Sequence, residues 1–261
     1  MIDRNPSSHK GENGKVAIIG GSPTIHGAPL LSALAAEASG ADLIFVCLPS
    51  CHKAVAKTTS LNFQVHPFKN DLLKDEDIEP ILELLATMDS AVIGPGISKD
   101  PSEQKVLDQI IQAASCDLVL DATALQKNTL SLVKGKNAIV TPHLGELERM
   151  GIDQDQLSKV ASENNATICL KGETDLITHS NGDQTEIDGG SAGLTVGGTG
   201  DVLAGLIGGL ISQGLDHPSA CELSSKIMKS AGEILQIEFG YAYTAVQIIN
   251  IIPRLVSKHD Q

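Results

Sequence analysis

The sequence predicts one α/β domain built on a mostly parallel sheet, and three features point there. Short apolar runs of strand character take turns with longer stretches of helical periodicity along most of the chain. Glycine, aspartate, histidine and lysine residues gather just after those short runs, where an α/β sheet holds its ligand. Finally, Ser191–Gly205 carries Gly197, Gly198 and Gly200 directly ahead of Asp201 and an apolar helical run.

Taken in order, Val16–Ile19 is a strand stopped by Gly20-Gly21-Ser22-Pro23. The helix after it sets Leu31, Leu34, Ala35 and Ala38 on one face and stops at Gly40. Leu43–Leu48 is a second strand, His52–Ser60 a helix and Asn62–His66 a third strand. Asp75–Thr87 carries Ile78, Ile81, Leu82 and Leu85 at helical spacing behind an acidic first turn. Strand Ala91–Ile93 runs into Gly94-Pro95-Gly96, and Pro101–Ala114 is a helix opened by proline. Leu118–Leu120 ends at Asp121, Ala138–Val140 at Thr141-Pro142-His143, and Thr167–Leu170 at Lys171-Gly172. Short helices span Leu144–Met150 and Asp155–Asn164. Leu176–His179 and Gln184–Ile187 read as a hairpin, with Asn181-Gly182 suited to a two-residue type I′ turn. The remainder is helical: Val202–Gln213, His217–Ile237, and Ala242–Ser257, kinked or broken near Pro253.

Composition excludes several function classes. Lys and Arg number 19 against 32 Asp and Glu, and the net charge of −13 argues against nucleic acid or an anionic membrane surface as partner. Aromatic residues are 2% with no Trp, too few for a platform that stacks single-stranded bases. No run approaches the roughly 20 apolar residues of a membrane span, and Met1–Lys15 is polar, without a secretory signal. The cysteines Cys47, Cys51, Cys116, Cys169 and Cys221 are odd in number and lack zinc spacing. They read as reduced, mostly buried thiols of a cytoplasmic protein.

The glycine stretch admits two readings. Leu203, Leu206, Ile207 and Leu210 fall at i, i+3, i+4 and i+7, so the glycines stand at a helix N-terminus. Backbone N–H groups there have no partner in the helix and favour an anion, and glycine lets a phosphate approach the main chain. Asp201 in that first turn is either a capping aspartate or a base beside a transferring phosphoryl group. Gly205, Gly208 and Gly209 suit close helix packing rather than ligand contact. The loops at Gly20, Gly94, Asp121, Thr141 and Lys171 would converge with Gly197–Asp201 on one cleft suited to a phosphorylated ligand. Within it, His143 is a ligand contact or a loop histidine bonded to backbone. Lys171 is a phosphate contact or a solvated lysine, and Glu146 a helix-dipole partner or a functional carboxylate. The other histidines show no metal spacing.

Gly198-Thr199-Gly200-Asp201 resembles the glycine loop of the ribokinase-like superfamily. Within it, the chain resembles the NAD(P)H-hydrate dehydratases through Gly20-Gly21-Ser22, Gly27-Ala28-Pro29, Gly94-Pro95-Gly96, Thr141–Glu146, Lys171-Gly172 and Thr195–Gly205. These stretches run in order from about Lys10 to Pro253, nearly the whole chain. The resemblance implies a ribokinase-like fold, a mostly parallel sheet with helices on both faces. It also implies an ADP- or ATP-dependent lyase that restores NADH or NADPH from the hydrated form. Asp201 would deprotonate the ring hydroxyl, and the N–H groups of Gly198, Thr199 and Gly200 would hold charge on the transferring phosphoryl group. Lys171, Gly172, Glu173, Thr174 and Asp175, with Gly200, would bind nucleotide. Ala28, Gly96, His143 and Asp201 would contact the hydrated dinucleotide. Mg2+ is expected from the reaction class, with its ligands unassigned. ADP is the favoured donor by resemblance to single-domain prokaryotic members, and a homo-oligomer, a tetramer, is expected. With Val16–Ile19 as first strand, no fused epimerase domain is expected.

The chain departs from the family pattern at Ser191-Ala192-Gly193-Leu194, where Asn-Pro-Gly-Met is frequent. It departs also at Thr123, where a second acidic residue is frequent, and at Ser98, where glycine is. None of these removes the base or the anion hole. The alternatives are a small-molecule kinase of the same superfamily, hydroxyethylthiazole kinase-like, and a nucleotide-binding module without catalysis.

Overall fold

The computed structural model describes residues 4–259. These form a nine-stranded sheet in the order β3-β2-β1-β4-β5-β6-β7-β8-β9. The strands are β1 Lys15–Ile19, β2 Leu43–Leu48, β3 Phe63–Pro67, β4 Ser90–Ile93, β5 Asp117–Leu120, β6 Ala138–Val140, β7 Ala166–Leu170, β8 Asp175–Thr178 and β9 Gln184–Ile187. β1 to β7 pair in parallel, while β8 and β9 close one edge antiparallel. The helices are α1 Gly27–Ala38, α2 Lys53–Thr59, α3 Asp75–Leu85, α4 Pro101–Ala113, α5 Thr129–Leu132, α6 Leu144–Met150, α7 Leu157–Asn164, α8 Thr199–Ser212, α9 His217–Phe239 and α10 Ala245–His259. None is long and apolar enough to cross a membrane.

The period of two along each strand builds two cores. Val16 and Ile18 of β1, Val92 of β4 and Val119 of β5 face one way, into a core with α1, α8, α9 and α10. Ala17, Ile19, Ala91, Ile93, Leu118 and Leu120 face the other way, into a core with α3, α4, α6 and α7. Helices on both faces are therefore as expected, and the strands read as unbroken apolar runs because both sides are covered.

α8 is the central helix. Every residue from Val202 to Ser212 is buried, a wider face than the apolar stripe alone predicted. Its glycines make room. A Cβ on Gly205 would lie 2.1 Å from the Ser32 carbonyl oxygen of α1, one on Gly209 2.1 Å from Ser39 Oγ, and one on Gly208 2.6 Å from Val92. Gly205, Gly208 and Gly209 are packing residues, as read.

Local details differ from expectation. The hairpin turn is not type I′: Asn181 keeps a negative φ and only Gly182 turns positive, at 92°. Gly182 N–H donates to the His179 carbonyl (2.9 Å) and His179 N–H to the Asp183 carbonyl (2.8 Å), a three-residue loop with glycine at its left-handed position. The Asn181 side chain accepts instead from Asp183 N–H, 2.9 Å. α10 begins at Ala245 and runs unbroken through Pro253, held by Ile248, Ile249, Ile252 and Leu255 in the core. Ser50–His52 and Gln154–Gln156 are 3-10 turns ahead of α2 and α7. Cys47, Cys169 and Cys221 are buried free thiols, Cys116 is half-buried and Cys51 exposed.

Candidate active site

The strand order reverses between β1 and β4, and parallel strands on either side open a crevice at their C-terminal ends. The β1 and β4 loops meet there. Gly21 N–H donates to the Pro95 carbonyl (2.8 Å), and a Cβ on Gly20 would lie 2.3 Å from that same oxygen. Gly96 has φ +74°, and a Cβ on it would stand 3.1 Å from the Ala28 Cβ and 2.9 Å from Ile25. Ala28 and Gly96 thus share one small-residue surface, both partly exposed.

The start of α8 lies beside it. Gly198, at φ 97°, is the N-cap residue, a conformation that favours glycine, and α8 runs from Thr199. Asp201 sits one turn in and does not cap the helix, so the capping reading is set aside. The N–H groups of Gly198, Thr199 and Gly200 find no partner among the described residues, leaving a cradle of free donors. Thr199 Oγ1 bonds back to the Leu194 carbonyl (2.8 Å), and Ser32 Oγ of α1 donates to the Asp201 carbonyl (2.9 Å). Both bonds stiffen the turn.

Asp201 stands among charges. No hydrogen bond or ion pair reaches its carboxylate among the described residues. Burial, then the negative charge of Asp121, push its pKa up to about 7; Lys171 acts the opposite way and Glu146 adds to the rise.

Asp121, at the end of β5, is 3% exposed and fully engaged. Its Oδ1 accepts from Lys171 Nζ at 2.6 Å and from Thr141 Oγ1 at 2.7 Å. Lys171 Nζ also lies 3.7 Å from Glu146 Oε2. Burial alone would lower the Lys171 pKa, but attraction to Asp121 and Glu146 outweighs it and the pKa is raised. Lys171 is therefore not a solvated lysine. Its ammonium is 3.4 Å from where a Cβ of Gly200 would be, next to the donor cradle. Ala122 holds φ 54°, strained for alanine, and Arg149 donates to its carbonyl (2.5 Å) and to that of Leu125 (2.8 Å).

His143 is bonded to backbone and also lines the cleft. It caps α6, its Nδ1 accepting Glu146 N–H at 3.2 Å while Glu146 Oε2 accepts His143 N–H at 3.0 Å. With Nδ1 so used, the proton of the neutral ring sits on Nε2. The ring is exposed and lines the cleft. Glu146 is at once a capping and a site carboxylate. Lys171 N–H donates to the Pro142 carbonyl (2.8 Å), which ties the β6 and β7 ends together.

The cleft opens from this cluster along β7–β9, with a volume of about 900 Å³. His143, Lys171, Gly172, Glu173, Asp175, Thr199 and Gly200 line it. Thr174 does not; its hydroxyl donates to Asp188 (2.5 Å). Asp175 is turned inward to the Gly172 N–H (2.9 Å). Ala28, Gly96 and Asp201 lie outside that lining. Sequence reasoning placed Asp121 and Thr141 in loops that reach the cleft but gave neither side chain a role of its own; Arg149 and Lys229 it did not single out, and no spacing signals them. The departures are local. Thr123 Oγ1 donates to the Ile97 carbonyl (2.7 Å), and Gly193 lets the Tyr243 ring approach, its Cβ position 2.6 Å away. Among the described residues no group of His, Cys, Asp and Glu is placed to hold a metal ion.

A doubly covered α/β sheet with a cradle of free donors at the start of α8 is the build of a ribokinase-like protein. The sequence profile of the NAD(P)H-hydrate dehydratases matches residues 16–254, and the chain belongs to that family. It is 34% identical to the ADP-dependent (S)-NAD(P)H-hydrate dehydratase of Cenarchaeum symbiosum, over 99% of this chain and 93% of that protein. It is 37% identical to the bifunctional NAD(P)H-hydrate repair enzyme Nnr of Methanocaldococcus jannaschii, covering 97% of this chain and 50% of that longer protein. The ADP/ATP-dependent NAD(P)H-hydrate dehydratase of Bacillus subtilis, co-crystallized with ATP/Mg2+, superposes with TM-score 0.82 at 26% identity, over 98% of this chain and 93% of that one.

Proposed function

We propose that this protein restores NADH or NADPH from the S-epimer of the hydrated cofactor, using ADP as phosphoryl donor. The observation that carries it is the Asp201 carboxylate, unpaired and with its pKa up at about 7, beside the free N–H groups that open α8. The relatives' names supply the substrate class.

In this reading the dinucleotide lies on the Ala28–Gly96 surface and reaches the exposed His143 ring. Asp201 takes the proton of the ring hydroxyl. The freed oxygen attacks the terminal phosphoryl group of ADP; its bond to AMP breaks, and the N–H groups of Gly198, Thr199 and Gly200 hold the charge on the transferring group. The ring nitrogen's lone pair then expels the oxygen as inorganic phosphate, and loss of a proton from the neighbouring ring carbon restores the ring double bond, leaving the reduced ring and AMP. Lys171 stands where it can meet the phosphates, while holding Asp121 neutralised. Gly172, Glu173, Thr174, Asp175 and Gly200 form the nucleotide side, Thr174 and Asp175 by shaping the loop. Among the described residues no group of His, Cys, Asp and Glu is placed to hold a metal ion, so the Mg2+ expected of the reaction class is given no ligands here and no step is routed through it.

A homo-oligomer, a tetramer, is part of the proposal. Exposed Ile234, Ile237, Phe239, Tyr241 and Val246 around the α9–α10 junction support self-association, and light scattering tests it.

The functional test mixes purified protein with hydrated NADH, Mg2+ and either ADP or ATP. Return of the near-ultraviolet band of reduced nicotinamide with ADP, and release of phosphate, is the expected result. A stable phosphorylated alcohol with no return of that band would replace this reading by a kinase.

A further inference from the structure

The nucleotide side of the cleft is lined by Gly172 and Glu173 of the loop after β7 and by Gly189, Gly190 and Ser191 of the segment after β9. Both are tied to one turn of α9. Lys229 is 5% exposed, and its ammonium donates to the carbonyls of Gly172 (3.2 Å) and Glu173 (2.5 Å) and stands 3.6 Å from Asp175 Oδ1. Four residues on, the Glu233 carboxylate accepts the Gly190 N–H at 2.9 Å. Gly189 and Gly190 turn at φ +101° and +92°, and a Cβ on Gly189 would lie 2.8 Å from Glu233 Oε1. The loops are also joined to each other by Thr174 and Asp188.

We infer that Lys229 and Glu233 are positioning residues for the nucleotide, an assignment that rests on reading this cleft as the nucleotide site. Residues four apart on a helix stand on one face at a fixed separation, so a single rigid turn of α9 sets the gap between the two loops. The charge matters as well as the tether. Two carbonyl oxygens and the Asp175 carboxylate converge on the floor of a cleft that takes an anion, and they would repel it. The Lys229 ammonium, on a side chain almost wholly buried, offsets them at the cleft lining. Asp201, Gly200 and the dinucleotide surface are untouched by this clamp, so it acts on nucleotide affinity rather than on chemistry.

The test is calorimetric titration of the whole protein with ADP, beside steady-state kinetics, for wild type, Lys229→Met, Lys229→Arg and Glu233→Ala. Lys229→Met is expected to weaken ADP binding and raise the nucleotide KM about tenfold, the scale of a lost charge-assisted hydrogen bond. It leaves kcat and the KM for hydrated NADH within about twofold. Lys229→Arg restores most of the loss. Glu233 is exposed, so Glu233→Ala folds even if Lys229→Met does not, and is expected to cost about threefold in ADP affinity. Unchanged ADP affinity in folded Glu233→Ala, or a fall in kcat with unchanged nucleotide KM in Lys229→Met, overturns the inference while the functional reading stands. Wild type that binds neither ADP nor ATP overturns both.

Discussion

Two carboxylates stand near each other at this site, and their surroundings could hardly differ more. Asp121, at the end of β5, is buried and saturated by Lys171 and Thr141. Asp201, at the start of α8, is within the field of Asp121 and Glu146; its carboxylate has no hydrogen-bond partner among the described residues, and burial with those charges pushes its pKa up to about 7. One carboxylate is held fixed by its partners, the other is left to gain and lose a proton. Residue type does not decide the role; the neighbours do.

The largest way to break that contrast is Asp201→Asn. Turnover is expected to fall by about 10³-fold, the range of a lost general base, with ADP affinity equal or tighter in calorimetry because a repelling charge is gone. Clearly weaker ADP binding would count against the role of base. The same variant carries a stability signature. The folded carboxylate holds a proton that the unfolded one, near its model value of 3.8, gives up; between there and pH about 7 the folded state binds more protons, so stability falls as pH rises through that window. Denaturant titration should find Asp201→Asn more stable than wild type above pH about 7, by on the order of 1–3 kcal/mol, with no difference near pH about 3.

Next in size is Gly205→Ala, which leaves both carboxylates in place but disturbs the helix that carries one. Its methyl meets the Ser32 backbone at 2.1 Å. A loss of about 3 kcal/mol in denaturant midpoints is expected. Activity should fall too, since Ser32 holds the Asp201 carbonyl.

The smallest effect is on the Asp121 side. Ala122 follows it at φ 54°, and Ala122→Gly removes that strain at some cost in unfolded-chain entropy. A net gain of about 0.5 kcal/mol in stability, with turnover unchanged, is expected from paired melts and assays.

The same contrast explains what was legible in the sequence. The sheet, its order of elements and the α8 glycine loop could be read, because apolar runs and glycines ahead of a helix are local signals. So could the gathering of loops at strand ends, including Ala28 with Gly96 and His143 with Lys171. The Asp121–Lys171 pair could not: the residues are 50 apart in the chain, and only the parallel pairing of β5, β6 and β7 brings them together. Lys229 and Glu233 look like ordinary polar positions on a long helix, and their use depends on where two loops land. The hairpin turn failed for a local reason. Asn-Gly permits type I′, but Asn181 took the Asp183 N–H instead and left the positive φ to Gly182 alone.

The central claim is that Asp201 is the proton acceptor and that its neighbours set its pKa. The most direct test is the pH dependence of kcat/KM for hydrated NADH, in wild type and in Asp121→Asn. The account predicts an acid limb that rises about tenfold per pH unit and levels near the Asp201 value of about 7; removing the Asp121 charge moves that limb to lower pH. A wild-type profile flat down to pH about 5, or a limb that Asp121→Asn leaves in place, would contradict it.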